Sequence, residues 1–205
     1  MSDLTVVYYS SSRERPEFEA GIVRELKAAA DGHAIISVTQ KPLELGRNIC
    51  FGQADASPEN AMRQLMIGLK AASTEFVALV ESDCLFGAEW FRRRPEAVGR
   101  WCYPCPGYVI WEGRLRFWPK NMRELIGITH RQHAIQVIGT IIDEQPSHIA
   151  DRIRQLTTAQ PEMLTQPVIT IKTRQQMHWA TPHGSQSVDS LPGWGSAAEI
   201  WGKLL

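Results

Sequence analysis

The sequence predicts a single α/β domain built on a mainly parallel sheet flanked by helices. Over residues 4 to 80, three short β-rich apolar segments alternate with two stretches of helical periodicity, the order that yields parallel strands joined by crossover helices. The chain has 205 residues, 43% of them hydrophobic, which is enough for one substantial core.

LTVVYYS at 4 to 10 is apolar and β-rich, and the Ser-Ser-Ser-Arg after it marks a loop. PEFEAGIVRELKAAADG follows as a helix, with Pro16 near its first turn and Gly32 at its end. HAIISVTQ at 33 to 40 is a second strand, closed by Lys41-Pro42. The next helix opens at Ser57 as N-cap with Pro58 behind it, and Met62, Leu65, Met66 and Leu69 recur at helical spacing. FVALV at 76 to 80 is the third strand, and further on GYVIWEGRLRFW alternates like two strands joined at Glu112-Gly113.

The third strand runs directly into Glu81-Ser82-Asp83. Open α/β sheets hold ligands at the carboxyl ends of their strands, and alternation along an extended segment turns Glu81 and Asp83 to one side. Paired hard carboxylates in such a place suit Mg²⁺ or Mn²⁺, and through the ion a phosphate. The alternative is a solvated loop with two incidental acids.

Lys plus Arg number 22 and Asp plus Glu number 22, so there is no global attraction to nucleic acid or to an anionic membrane. The beginning lacks a basic segment followed by an apolar one, and nowhere do eighteen apolar residues run together. These features predict a soluble cytoplasmic protein. Four cysteines in a chain of this length do not make a disulfide framework.

The stretches VVYYSSSRERPEF, IISVTQKPLELGRNICFG, SPENAMRQLMIGLKAASTEFVALVESDCLF and LPGWG resemble, in this order, small GT-A-type glycosyltransferases related to the large family-2 group. The resemblance implies a GT-A-like fold in which residues 1–91 bind a nucleotide-sugar donor and residues 92–205 form the acceptor side and tail. It implies that Glu81-Ser82-Asp83 is the DXD-like motif, with Asp83 ligating Mn²⁺ or Mg²⁺ and Glu81 addressing the donor ribose or a metal-bound water. Ser10, Ser11, Arg13, Gln40, Lys41, Asn60 and Arg63 are the implied donor contacts. The family carries a His after its last strand as a metal ligand, but this chain has Thr173 in that register, so His178, or less directly His183, is the candidate replacement. The implied activity is metal-dependent transfer of a sugar, from a UDP-sugar, to an acceptor hydroxyl, and Asp83→Asn is expected to abolish donor binding with the fold intact. A nucleotidyltransferase would share the α/β core and acidic edge but should bring a Gly-rich phosphate loop after the first strand, and SSSRER is not one.

From Trp90 to Arg131 nine basic residues stand against three acids, with Trp101, Trp111 and Trp118 among them. A basic, aromatic face suits a polyanion, so the acceptor is either a hydroxymethylated base in bacteriophage DNA or a saccharide or other small hydroxyl compound; a non-catalytic nucleic-acid-binding module would leave Glu81 and Asp83 unused. Cys102 and Cys105 are followed by His130 and His133 in a spacing tighter than that of zinc fingers, which leaves a zinc knuckle or simply packed cysteines. The W-C-x-P-C string has no helix behind it to activate a thiolate. Asp143, Glu144 and Asp151 are the downstream candidates for a general base.

Overall fold

The computed structural model describes residues 2–120, 125–175 and 186–205. Its first half follows the sequence pattern: β1 (Leu4–Ser10), α1 (Pro16–Ala30), β2 (Ala34–Thr39), a short β3 (Arg47–Cys50), α2 (Pro58–Ala71) and β4 (Phe76–Glu81). Ser57 caps α2 by accepting from the Asn60 amide at 3.2 Å, with Pro58 at the first helical position, where its missing N–H costs nothing. α1 ends in two left-handed residues, Asp31 (φ 42°) and Gly32 (φ 82°), which turn the chain into β2.

The second half is β5 (Cys84–Leu85), a 3₁₀ turn at Trp90–Arg92, β6 (Arg100–Trp111), β7 (Arg114–Lys120), β8 (Gly127–His130), α3 (Arg131–Glu144), α4 (Ile149–Leu156), β9 (Thr158–Lys172), β10 (Ser190–Leu191), β11 (Gly195–Ser196) and α5 (Ala197–Leu204). The main sheet runs β3-β2-β1-β4-β8-β6-β9-β5, with β7 on β6. Pairing is parallel from β3 through β4. It is antiparallel on both sides of β8, parallel between β6 and β9, and antiparallel again at β5 and β7. The parallel sheet expected from the sequence is thus the first half, and the second half is mixed. The β6–β7 hairpin turns at Glu112-Gly113 as expected, a connection too short for anything but antiparallel pairing.

β1 is buried along its whole length because helices cover both faces of the sheet, and this is why it reads as an unbroken apolar run. Leu4, Val6 and Tyr8 join one core with Phe18, Ile22 and Leu26 of α1 and Ile200 of α5. Val7 and Tyr9 join the other with Met62, Leu65 and Leu69 of α2 and Ile138 of α3. Gly68 lets α2 lie close on β1: a Cβ there would stand 2.4 Å from Val7 Cγ1. Val7 is fully buried and stiff at its branched Cβ, so Gly68→Ala is expected to cost about 1–3 kcal/mol. The check is a lower urea midpoint at unchanged slope; an unchanged midpoint would mean the helix lifts freely.

Candidate active site

The carboxyl ends of β1, β2 and β4, the first turn of α2 and the end of β9 frame a cleft of about 170 Å³. Helix α2 meets it with its amino-terminal turn, where the helix dipole favours an anion. Immediately after the acidic triplet, β5 pairs with β9, Cys84 opposite Thr170, and the Ile171 amide donates to the Asp83 carbonyl at 2.7 Å. This crossing brings Lys172, the last residue of β9, beside the triplet.

Lys172 Nζ lies 2.7 Å from Asp83 Oδ2, and the two side chains are only 12% and 8% exposed. Asp83 Oδ1 accepts from the Cys84 thiol at 3.2 Å. Burial by itself would push the Asp83 carboxyl up, but the Lys172 and Lys120 charges outweigh it and hold it below the ordinary carboxylate range. Burial would likewise lower the Lys172 ammonium, and Asp83 and Glu81 outweigh that, keeping it firmly protonated. Lys120, at the end of β7, donates to Thr170 Oγ1 at 3.3 Å, which places a second ammonium behind the first.

Glu81 sits opposite Tyr9 in the β1–β4 register and accepts a hydrogen bond from the Tyr9 hydroxyl. Burial first, and then the Asp83 charge, push its carboxyl above the ordinary value. The two acids of the triplet are therefore unlike: Asp83 is a compensated anion and Glu81 one that takes up a proton more readily.

Of the residues singled out in the sequence, the cleft brings together Ser10, Ser11, Arg13, Gln40, Asn60, Glu81 and Asp83. Lys41 and Arg63 do not line it; Arg63 is exposed and donates to Asn60 Oδ1 at 3.4 Å. Ser10 is 2% exposed and serves the loop, donating to Glu19 at 3.0 Å and accepting from the Ser12 amide. Thr173, in the place where a His was sought, donates to Glu14 at 2.8 Å. His178 and His183 lie outside the described residues. Asp143, Glu144 and Asp151 do not line the cleft, and Glu144 and Asp151 are paired with Arg152 and Arg154. Gln64, which the resemblance sets beside Asn60 and Arg63, lines the cleft and donates to the Ser10 and Val38 carbonyls at 2.8 and 3.0 Å, fixing both strand ends. Sequence reading missed Lys172 and Tyr9. The one available signal was a lysine closing the apolar run VITIK.

Within the basic stretch Arg93 and Arg94 are tied down, while Arg92 and Arg114 are exposed. Arg94 pairs with Asp3 and lies over the Phe76 ring at 5.5 Å, while Arg93 pairs with Glu89 and, at 3.7 Å, Glu162. Trp101 and Trp111 are core residues, 0% and 1% exposed. Replacing Arg92, Arg93 and Arg94 together by Ser is expected to lower the melting temperature, through lost ion pairs and the stacked guanidinium, and to leave nucleotide binding unchanged; an unchanged melting temperature would show those pairs idle.

Among the described residues, Cys102, Cys105, His130 and His133 do not gather into a metal-binding group. Cys102 is buried in β6, which pushes its thiol up to about 12, and His133 packs edge-on to Trp101. The group that does gather is Glu81, Asp83 and Cys84, with ligand atoms within 4.8 Å of one another. A hard dication fits this set poorly. Burial holds the Cys84 thiol neutral, Asp83 is engaged at both oxygens, and the Lys172 ammonium already sits against it. A cation that favours oxygen ligands would have to displace that ammonium. The same pair argues against the expectation that Asp83→Asn spares the fold, since the substitution would strip a buried lysine of its counter-charge.

No family model and no curated protein matches the sequence. Among solved structures, the chain is similar to 2-C-methyl-D-erythritol 4-phosphate cytidylyltransferase from Thermus thermophilus, with a TM-score of 0.51 and 12% identity over 77% of this chain and 87% of that one. It is similar at a TM-score of 0.49 and 10% identity to S. aureus TarS 1-349 in complex with UDP, over 82% of this chain but only 60% of that one. A glycosyltransferase involved in the glycosylation of the major capsid of PBCV-1 follows at a TM-score of 0.46 and 7% identity, over 78% and 80% of the two chains. The fold is the GT-A-like α/β fold that the sequence led us to expect. Likeness at such identities establishes the fold alone, so the chemistry is read from the residues.

Proposed function

We infer that the chain is a glycosyltransferase that moves a sugar from a nucleoside-diphosphate sugar, with UDP as the nucleotide, to an acceptor hydroxyl. The observation that carries this reading is the cleft at the carboxyl edge of β1, β2 and β4, where Glu81, Asp83, Lys172 and Arg13 converge. Cationic groups beside a diphosphate stabilise the charge that develops as the sugar–phosphate bond breaks, and a guanidinium can pair with phosphate oxygens in a fork. Gln40 lines the same cleft and its Nε2 is buried without a partner among the described residues, a donor suited to a pyrimidine carbonyl. The donor half expected at residues 1–91 then takes Lys172 and Gln175 from the second half as well.

Mn²⁺ or Mg²⁺ would draw on Asp83, with Glu81 beside it, and would neutralise the leaving diphosphate, but the set fits a hard dication poorly while the Lys172 ammonium sits against Asp83. For the acceptor, a saccharide or small hydroxyl compound draws more support than a hydroxymethylated base in phage DNA, because Arg93 and Arg94 are engaged in ion pairs and Trp101 and Trp111 are buried in the core.

A screen of UDP- and GDP-sugars for hydrolysis and for transfer of labelled sugar to saccharides, hydroxymethylated DNA and unmodified DNA tests the reading. Release of UDP with transfer to saccharides is the expected result. Pyrophosphate release from CTP in place of sugar transfer would instead make the chain a nucleotidyltransferase.

A further inference from the structure

We propose that Lys172 is the resident cation of the donor site: held by Asp83 and backed by Lys120, its ammonium meets the diphosphate of the sugar nucleotide and takes the part expected of a divalent ion. The proposal rests on the reading of the cleft as a nucleoside-diphosphate-sugar site.

A lysine 12% exposed and 2.7 Å from an aspartate 8% exposed is a costly arrangement for stability alone, since a well-packed apolar pair would often hold the fold as well or better. The pair nonetheless stands in the wall of the recess at the strand ends, where open α/β sheets bind their substrates. An ammonium has three N–H donors, and among the described residues Asp83 takes one of them. Asp83 thus orients Lys172, and the remaining donors are available to phosphate oxygens. The charges fit as well. Asp83 balances one ammonium, while an arriving diphosphate adds negative charge, which Arg13 in the cleft wall is placed to meet and which the charge of Lys120, bonded to Thr170 outside the cleft lining, offsets from further away.

In the transfer step, the bond between the anomeric carbon and the β-phosphate oxygen breaks, and its electron pair stays on that oxygen. The acceptor oxygen forms the new bond to the anomeric carbon, and its proton is released to solvent. The leaving oxygen gains charge only as the bond breaks, so a hydrogen bond from a fixed ammonium is stronger in the transition state than before it. Being built into the fold, the ammonium needs no ion to arrive first.

The test is UDP calorimetry and UDP-sugar hydrolysis with the intact chain, in EDTA and in Mn²⁺. The expected result is the same affinity and the same rate in both. Lys172→Met is expected to weaken UDP binding in EDTA by about 10- to 100-fold, the worth of a charge-assisted hydrogen bond, with Lys172→Arg retaining most of it. Because Lys172→Met alone leaves Asp83 uncompensated, Asp83→Asn with Lys172→Met is measured beside it, and the same loss is expected in that folded background. UDP binding by the wild type only when Mn²⁺ is present would overturn the proposal while upholding the donor site. Undiminished binding by the double variant would also overturn it. No UDP binding under either condition would overturn the reading of the cleft, and this proposal with it.

Discussion

Asparagine at position 83 is expected to destabilise the protein by about 3–5 kcal/mol, the cost of leaving one member of a buried ion pair without its partner. For a chain of this size that is a fall of roughly 6–20 °C in melting temperature. The amide keeps the shape of the carboxylate but leaves the Lys172 ammonium, 12% exposed, without a counter-charge. Adding Lys172→Met is expected to restore most of the loss, because a neutral pair removes the desolvation cost of both ions. A double variant no more stable than Asp83→Asn would show that something other than the ion pair is at stake.

The pH dependence of stability follows from the same pair. Asp83 titrates below the ordinary carboxylate value in the folded chain, so its contribution is present above the unfolded value and lost as pH falls through the folded one. The Lys172 ammonium titrates above its ordinary value, so its contribution is present below the unfolded value and lost only as pH rises through the folded one. Glu81, shifted upward, works the other way, favouring the fold more when protonated and partly offsetting the loss on the acid side. Denaturant titrations across the acid range should therefore show a loss for the wild type that shrinks in the double variant.

Loss of catalysis is the other large effect. Lys172→Met in the Asp83→Asn background is expected to lower the turnover rate of sugar transfer by about 10²–10³-fold, the range seen when a donor aimed at developing charge is removed. The fall should appear in kcat more than in KM for the acceptor, because the contact strengthens as the sugar–phosphate bond breaks. A rise in KM at unchanged kcat would assign Lys172 to ground-state binding alone.

The parts of this molecule that sequence made legible are those fixed by local pattern. β1, α1, β2, α2 and β4 declare themselves through unbroken apolar runs, helical spacing, a capping serine and prolines at first helical positions, all of which act within a few residues. The edge at Glu81 and Asp83 was legible because a parallel sheet has a fixed ligand end. β3, β5 and β8, of 4, 2 and 4 residues, are too short to show a period, and their partners, not their composition, make them strands. Lys172 was hidden for a similar reason: it reaches Asp83 across 89 residues of sequence, through a strand pairing that no local pattern announces. The basic run from 90 to 131 shows the opposite effect: its charge is visible in the sequence, while the acids that pair with Arg94 and Arg93, Asp3 and Glu162, are far away in it.

That reach of 89 residues also sets when the cleft comes into being. Contacts between distant parts of a chain form late, after the entropy of closing the intervening loop has been overcome. The first four strands can assemble from neighbouring segments, yet in that state Asp83 has no ammonium and the cleft lacks one wall. Only when β9 docks along β6 and captures β5 does the acidic edge acquire its lysine. A half-made chain thus holds a sheet whose acidic edge lacks its lysine, and the complete cleft is the mark of a finished fold.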